Sequence, residues 1–189
     1  MRRRRSAASV SPVSNGVDAI ELLMQDHRRL EEMFREFINL RATDPDGESK
    51  RAVVEQACAV LTVHTLIEEE IFYPALHDAL RDQIVGEEAL VKHATAKALI
   101  ERLEGLEPAE PFYDATFTVL AEYVRHHVEE EEANMFPQAK EAQLDLADLG
   151  ERMKQRKAEL EDDDGPIESG PADGTEEGTN GNAPPSRRR

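Results

Sequence analysis

The sequence predicts an all-α protein, specifically an antiparallel up-down-up-down four-helix bundle with an extra C-terminal helix. Apolar residues between positions 18 and 160 recur every three to four residues, which is the period of a helix that faces a core. Alternating runs of β-branched residues, which would indicate strands, do not occur in the sequence. The amphipathic segments are joined by short connections, and short connections favour antiparallel neighbours in a bundle.

Start and stop signals bound the five helices. Asp18 followed by Glu21 is a capping box that starts the first helix, and the turn at 44–47 ends it. Pro74 is expected to close the second helix, because a proline cannot continue the helical hydrogen bonds. The third helix is expected to end near Gly105, and Pro111 lies in the first turn of the fourth helix. The fifth helix is indicated by a looser apolar pattern over 146–160.

The chain divides into one domain and two tails. Residues 18–160 form the predicted bundle, which is long enough to bury a sizeable core. Residues 1–17 carry four consecutive arginines and then small polar residues, and residues 161–189 are rich in acidic residues, Gly, Pro and Ser. Neither tail has enough apolar side chains to offset the entropy lost on ordering, so both are expected to be disordered.

Charge and composition exclude several classes of partner. The net charge of −17 argues against a specific nucleic-acid partner, and the arginine-rich ends are interpreted as solubilising. No stretch is long and apolar enough to cross a membrane, and no apolar run follows the first arginines as in an export signal. Cys58 is the only cysteine, so an intramolecular disulfide is excluded. We expect a cytoplasmic monomer that binds neither membranes nor specific nucleic acids.

Two stretches of the chain share one template. HTLIEEEIFYP spans 64–74 and HVEEEEANMFP spans 127–137, and in each a Glu follows the His by four residues and a Pro follows it by ten. A spacing of four places two side chains on one face of a helix, one turn apart. A single match arises easily by chance in so acidic a chain, but the doubled match is expected in roughly one sequence per thousand. The repeat therefore indicates two imidazole–carboxylate clips that could face each other around metal ions.

All four bundle helices place one histidine within their apolar stripe, and two of them add a glutamate. A lone histidine there is usually a hydrogen-bonded core residue, but two ionised carboxylates in an apolar core cost several kcal/mol each unless neutralised. No Lys or Arg lies on these stripes near the site, so a pair of divalent or trivalent cations is the expected neutraliser. Mixed imidazole and carboxylate donors suit iron, with manganese or zinc as second choices. The candidate metal ligands are His27, His64, Glu68, His93, His127 and Glu131.

The chain resembles the hemerythrin-like, or HHE cation-binding, proteins. The resemblance lies in DHRRLEEMF around His27, in the two repeat segments, and in EEALVKH, which ends at His93. It covers about 18–140 and extends loosely into the fifth helix. It implies a bundle that holds a non-heme di-iron centre, with two Fe ions, carboxylate bridges and often an oxo or hydroxo bridge. The six candidate residues would be its ligands.

Two departures from the oxygen-carrying members bear on the expected function. Those proteins have an HxxxH pair on the third helix, whereas here Lys97 stands four residues after His93. Their last helix has HxxxxD, where this chain has His127 followed by Glu131. One imidazole fewer leaves coordination positions for water or substrate, which favours turnover over reversible O₂ binding.

Three classes of function follow. We favour a di-iron oxidoreductase of catalase or peroxidase type, whose partner is a small oxidant: hydrogen peroxide, nitric oxide or O₂. The alternative is an iron- or O₂-binding or sensing module without turnover, and the third class is a structural bundle whose site holds zinc or nothing. Peroxide consumption without an added reductant separates the first class from the second, and metal analysis separates both from the third.

Other polar residues near the motifs have separate interpretations. Tyr123 lies one turn before His127 on the ligand face and is the one catalytic candidate, either as a core residue bonded to a carboxylate or as an iron ligand. His126 and His77 are expected at or near the surface, and Cys58 is given no role. The other acidic residues of the motifs are expected to form a solvated face, namely Glu69, Glu70, Glu129, Glu130 and Glu132.

Overall fold

A computed structural model describes residues 16–44, 47–80 and 84–163 of the chain, without the side chains of 84–86 and Asp163. The two predicted tails, 1–17 and 161–189, lie almost entirely outside these ranges. The three described ranges contain helices and connections but no strand. The predicted all-α class is therefore confirmed.

Seven α-helices and two π-helical turns make up the described structure. The α-helices are α1 Ala19–Thr43, α2 Glu48–Ile67, α3 Tyr73–Leu80, α4 Ile84–Glu104, α5 Tyr113–Glu130, α6 Phe136–Glu141 and α7 Leu146–Asp163. The first π-turn, Glu68–Phe72, joins α2 to α3, and the second, Glu131–Met135, joins α5 to α6. Four long helical columns result: α1, α2 with α3, α4, and α5 with α6. We call α1–α3 the first half of the bundle and α4–α6 the second half.

The four columns pack as the predicted antiparallel bundle. α1 lies along α2 and α5, and α4 lies along α5 and α2. The N–H of Glu21 donates to Oδ1 of Asp18 at 2.9 Å, which caps α1 where the sequence predicts its start. None of the described helices is long and apolar enough to span a membrane.

Pro74 lies inside the second column and does not close it, so that prediction is wrong. The N–H of Tyr73 bonds to the carbonyl of Glu68, five residues back, and this widens the helix by one residue just before the proline. In a regular α-helix the proline ring would clash with the carbonyl four residues back, and the wider turn relieves that crowding. Pro137 follows the second π-turn in the same way, near the start of α6.

The predicted ligands lie between two apolar clusters of the core. One cluster includes Leu30 and Phe117, and the other includes Leu23 and Phe72. His27 on α1 stands between Leu23 of one cluster and Leu30 of the other, and the other three stripe histidines lie at the same level of their helices. The polar side chains therefore sit midway along the bundle, shielded from bulk water on both sides.

Helix α7 is the fifth helix that the sequence predicts. It packs against α1 and α2 and ends at Asp163, three residues past the predicted end of the core at 160. Leu149 and Met153 are buried in the cluster that contains Leu23. Gly150 permits the close approach, because a Cβ atom at this position would lie 2.6 Å from the carbonyl oxygen of Val17. The extra C-terminal helix that the sequence predicts is thus part of the packed domain.

Two cationic side chains tie α7 to the region of the ligands. Arg156 donates two hydrogen bonds, of 2.7 and 3.1 Å, to Glu70 of the first π-turn. Lys157 pairs with Asp26, a buried carboxylate on α1. Charge pairs as well as apolar packing therefore hold α7 over the first half.

Candidate metal centre

The structure brings all six predicted ligand residues into one buried cluster. Glu68 and Glu131 are 0% exposed, and the most exposed member, His127, is 8% exposed. Their donor atoms form two overlapping groups, within each of which all atoms lie within 4.8 Å of one another. The first group is His27, His64, Glu68 and Glu131, and the second is Glu68, His93 and His127.

Both carboxylates lie between the two groups. Oε2 of Glu131 lies 3.4 Å from Nε2 of His27, and Oε1 of the same residue lies 3.8 Å from Nε2 of His127. Oε2 of Glu68 lies 3.3 Å from an imidazole nitrogen of the first group and 3.4 Å from one of the second. A carboxylate that bridges two cations must occupy this kind of position.

Several buried polar atoms around the cluster have no hydrogen-bond partner among the described residues. A buried donor or acceptor without a partner costs about 1–3 kcal/mol, so a concentration of them indicates a bound group. Imidazole nitrogens and carboxylate oxygens are donors that iron, manganese and zinc accept, so the residues fit a pair of such cations. The unpartnered atoms are Oδ2 of Asp26, Nε2 of His27, Nδ1 of His64, Oε1 of Glu68 and Oε2 of Glu131.

In the absence of a metal ion, the pKa values of the two buried carboxylates shift in opposite directions. Burial, and then repulsion from Glu131, raises the pKa of Glu68 well above its ordinary value. Burial acts on Glu131 in the same direction, but the neighbouring imidazoles, above all that of His27 at 3.4 Å, outweigh it and lower the pKa of Glu131. The imidazoles therefore stabilise one negative charge, and a pair of cations would let both carboxylates ionise.

The imidazoles differ from one another in charge. Burial lowers the pKa of His93, and it lowers the pKa of His127 to about 4, so both are neutral near pH 7. Their Nε2 atoms lie 2.9 Å apart. Burial also acts against the charged form of His27, but the carboxylate of Glu131, 3.4 Å away, raises the pKa of His27 to about 8. Neutral imidazole carries the lone pair that binds a cation, so the His93–His127 side is already in the binding form.

Two glutamates that the sequence places on a solvated face contact the histidines: Glu132, which is exposed as expected, and Glu69, which is half-buried. Oε1 of Glu69 lies 2.9 Å from Nδ1 of His93, and Oε1 of Glu132 lies 2.9 Å from Nδ1 of His27. Lys97 donates to both oxygens of Glu69, at 2.7 and 2.8 Å. A carboxylate at the second ring nitrogen of a metal-binding histidine fixes the orientation of the ring.

Asp26 takes a similar position behind His64, at a longer distance. Its Oδ2 lies 3.6 Å from Nδ1 of His64, and Lys157 pairs with its other oxygen. Burial opposes ionisation of Asp26, but His64 and Lys157 hold the pKa of this carboxyl below its ordinary value. Of the four candidate ligand histidines, His127 is the one whose Nδ1 has no carboxylate near it within the described part of the chain.

The tyrosine that meets the cluster is Tyr73, a residue without a predicted role. Its hydroxyl donates to Oε1 of Glu131 at 2.6 Å and lies 3.2 Å from Oε2 of Glu68. The same oxygen lies 3.2 Å from Nε2 of His93 and 3.4 Å from Nε2 of His127. Burial and the two carboxylates raise the pKa of Tyr73 well above its ordinary value, so the hydroxyl keeps its proton.

The first π-turn explains why this tyrosine, and not Tyr123, faces the cluster. Five residues of regular α-helix would rotate Tyr73 about 140° away from Glu68, and the i to i−5 hydrogen bond removes most of that rotation. Tyr123 is half-buried, and no hydrogen bond among the described residues joins it to the six ligands. Four α-helical residues overshoot a full turn by about 40°, which moves Tyr123 toward the edge of the His127 face.

The repeat itself contains the signal for these additional residues. Tyr73 and Phe136 occupy the same place in the two segments, and so do Glu69 and Glu132. Each aromatic ring lies against the lone histidine of the other half, with ring centroids 5.4 Å apart for Tyr73 and 5.8 Å for Phe136. A comparison of every position of the two segments, and not only of the His, Glu and Pro positions, would have identified these two aromatic residues and two glutamates as candidates near the site.

A helical bundle with a buried cluster of imidazoles and carboxylates is a cation-binding architecture, and comparison with known families agrees. The model of the hemerythrin HHE cation binding domain matches residues 18–139. Because the match covers well over half of the sequence, the chain belongs to the hemerythrin HHE cation-binding family. α7 lies beyond the matched residues.

Two known proteins illustrate the range of similarity. A DNA nickase from a Nostoc strain is 26% identical over 136 residues, a match that covers 69% of this chain and 37% of that protein. The chain thus spans little more than a third of the length of that relative. The crystal structure of a hemerythrin HHE cation binding domain-containing protein from Mycobacterium kansasii has a TM-score of 0.66 at 24% identity, with 78% of this chain and 89% of that chain covered. The second likeness shows the fold.

Proposed function

We propose that this protein holds two iron ions, with an oxo or hydroxo bridge, and reacts with a small oxidant, above all hydrogen peroxide. The observation that carries the proposal is the set of buried imidazole and carboxylate atoms that lack a hydrogen-bond partner within 16–44, 47–80 and 84–163 and form two groups around Glu68. Ionisation of two carboxylates at 0% exposure requires compensating positive charge. The ligands would be His27, His64, Glu68, His93, His127 and Glu131.

Iron suits this donor set. Four imidazoles and two carboxylates combine nitrogen with hard oxygen donors, and the phenol of Tyr73 adds a third oxygen-bearing side chain next to them. Six side chains around two ions leave coordination positions for other molecules, which favours turnover over a closed structural site. Iron, when bound, supplies the capacity to accept and return electrons, which the side chains of this site lack.

The surrounding residues control protons and orientation. Tyr73 keeps its proton, so its hydroxyl can donate a hydrogen bond to Glu131 or to a substrate oxygen at the same place. Glu69 and Glu132 hold the rings of His93 and His27 through their Nδ1 atoms. The apolar clusters above and below the site keep out bulk water, which strengthens these charged contacts.

Peroxide disproportionation needs no partner besides peroxide. Two molecules of H₂O₂ give one O₂ and two H₂O; one molecule is oxidised and the other is reduced, so protons and electrons balance without an added reductant. A thiol reaction is not favoured, because burial raises the pKa of Cys58 to about 12. With this single buried cysteine, we place the protein in the reducing cytoplasm.

The test is iron analysis, absorption spectroscopy and O₂ evolution on the full chain purified from iron-replete cells. We expect about two iron atoms per chain, charge-transfer absorption in the near ultraviolet, and O₂ release when peroxide is added. Glu68→Ala should lose the metal, whereas Glu129→Ala, at an exposed position of the second repeat, should retain all three properties.

Two outcomes would change the proposal. Stoichiometric zinc without charge-transfer absorption would support a structural bundle. Full iron loading with reversible O₂ binding and no peroxide consumption would support the alternative, an iron- or O₂-binding or sensing module.

DNA nicking, the activity named for the Nostoc relative, is not extended to this chain. The chain spans 37% of that protein, so the match leaves most of it unrepresented here. The net charge of −17 also repels a polyanion. We therefore propose a small molecule, and no specific nucleic acid, as the partner.

A further inference from the structure

A pocket of about 150 Å³ opens beside His127, and its walls include Ala89, Lys92, Glu130, Asn134 and Gln138. His127 is the most exposed stripe histidine: 10% of its side chain is accessible, against 2–3% for the other three. The volume suffices for several small molecules, since a single water needs about 15 Å³. One side of the buried centre is therefore reachable from solvent.

The corresponding place in the first half of the bundle is closed. There His64 takes the place of His127, and 2% of its side chain is exposed. We align the two halves in sequence so that His93 matches His27 and His127 matches His64. The wall residues of the pocket then match first-half residues that are buried or half-buried and mostly apolar. These positions are Leu23, Asp26, Ile67, Ile71 and Ala75.

Helix α7 covers this first-half position. Leu149 and Met153 pack into the same cluster as the apolar residues of that set. Lys157 reaches over the covered surface to pair with Asp26. Among the described residues no helix covers the second half as α7 covers the first. The surface that such a helix would cover is open there, and the pocket lies in it.

From this asymmetry we propose that the pocket beside His127, here named the access pocket, is the route by which a small uncharged molecule reaches the centre. The molecule would bind next to the His93–His127 pair, and α7 closes the equivalent route on the His27–His64 side. The inference rests on the proposed function in one respect, namely that the centre is reactive.

The lining of the access pocket suits an uncharged molecule that forms hydrogen bonds. Lys92 and Glu130 pair with each other, so their charges cancel, and the exposed Glu88 in the wall leaves one negative charge that repels anions. The amides of Asn134 and Gln138 provide donors and acceptors at the mouth. Hydrogen peroxide and nitric oxide fit the space, whereas an extended organic substrate does not.

Filling the access pocket tests the proposal. Asn134→Trp and Gln138→Trp place an indole in it, and both positions are at least partly exposed, so the core is spared. Ala133→Trp, at an exposed neighbour in the same π-turn, is the matched control. The probe is nitric oxide, and the readout is its association rate with the reduced, iron-loaded full chain in stopped-flow absorbance. The rate should fall by about tenfold or more in both pocket variants and stay unchanged in the control.

A second readout does not depend on redox activity. Diethyl pyrocarbonate modification followed by mass spectrometry should label His127 in the full chain, and should label it much more slowly in the two pocket variants. The exposed residues His126 and His77 serve as internal references and should react equally in every variant.

The two proposals can fail separately. If the wild-type protein leaves peroxide and nitric oxide untouched but the pocket variants still protect His127, the proposed function fails and the access pocket stands. Unchanged nitric oxide association and unchanged His127 labelling in both pocket variants would overturn the access pocket.

Discussion

The hydroxyl of Tyr73 donates a hydrogen bond to Oε1 of Glu131 across 2.6 Å, and this bond links the residue directly after the first π-turn to the first residue of the second. Phe136, at the equivalent place in the other half, has no hydroxyl group to offer. The candidate ligands repeat, and so do Glu69 and Glu132, but the hydroxyl of Tyr73 has no counterpart in the second half. The two proposed cation positions are therefore chemically different.

Tyr73→Phe should leave the fold intact, because it removes one oxygen atom, but it should change the visible spectrum of the iron-loaded protein and its peroxide consumption. Loss of the hydrogen bond to Glu131 should lower the free energy of unfolding by about 1 kcal/mol. Absorption spectra and urea unfolding measure the two effects. Tyr123→Phe is the control, and a larger spectral change in that variant would show that the wrong tyrosine has been placed at the centre.

Glu69→Ala and Glu132→Ala should each weaken iron binding by about 10–100-fold, because each removes the carboxylate that orients a ligand histidine. Competition with a chelator of known affinity measures the loss. Glu129→Ala, which removes an exposed carboxylate of the same repeat, should bind iron like the wild type. Equal affinities for all three variants would mean that the hydrogen bonds to Nδ1 do not matter for binding.

Removal of iron should lower the melting temperature of the full chain. A ligand present at 100 times its dissociation constant stabilises the folded state by about 2.7 kcal/mol, and the buried carboxylates Glu68 and Glu131 lose their neutralising charge when it leaves. Scanning calorimetry with and without chelator gives the shift. Glu68→Ala is the control, since its melting temperature should not respond to iron; a response equal to that of the wild type would place the metal elsewhere.

Gly150→Ala should destabilise the protein by roughly 1–3 kcal/mol, because the new methyl group meets backbone atoms of residues 17–19 at 2.6–2.9 Å. The nearest atoms to a Cβ at Gly105 lie at 3.7 and 3.9 Å, so Gly105→Ala should be tolerated. Urea unfolding of the two variants compares them directly. Similar stability of both would mean that α7 can shift away from α1 at little cost.

Glu31→Gln should show a stability loss that depends on pH. Burial opposes ionisation, but hydrogen bonds and charges from Arg125 and Arg35 hold the pKa of Glu31 below its ordinary value of 4.5. A lowered pKa in the folded state means that the stabilisation is complete above pH 4.5 and is lost as the pH falls through the folded-state pKa. The difference in unfolding free energy between variant and wild type should be below about 1 kcal/mol at pH 7 and shrink in acid. A difference that stays constant from neutral to acidic pH would contradict this.

The clustering of the six candidate ligands could be predicted because it depends on local geometry. A histidine and a glutamate four residues apart share a helix face whatever the rest of the chain does. His27 and His93 follow the same logic, since each lies within the apolar stripe of its own helix. The bundle then has one way to bury four such stripes together, and the six side chains meet there.

The remaining contacts depend on relations between helices and could not be predicted in the same way. Glu69 is one residue, or about 100°, from Glu68, so the helical wheel places it outside the stripe. It meets His93 because α4 passes along that edge, which periodicity within one helix does not show. The π-turn before Pro74 is hidden for the same reason. It absorbs one residue, so counting 3.6 residues per turn through it assigns each later residue a direction that is wrong by about 100°.

Each π-turn amounts to one inserted residue that the helix absorbs within a single turn, so the helix beyond it keeps the phase of the helix before it. A relative that lacked this residue would carry its tyrosine four positions after the glutamate in unbroken α-helix, and the phenol would arrive at the same place. A tyrosine four residues after the glutamate in an α-helix and a tyrosine five residues after it across a π-turn then occupy the same place in space. A sequence alignment of such relatives is correct around this centre only if its one-residue gap falls between Glu68 and Tyr73.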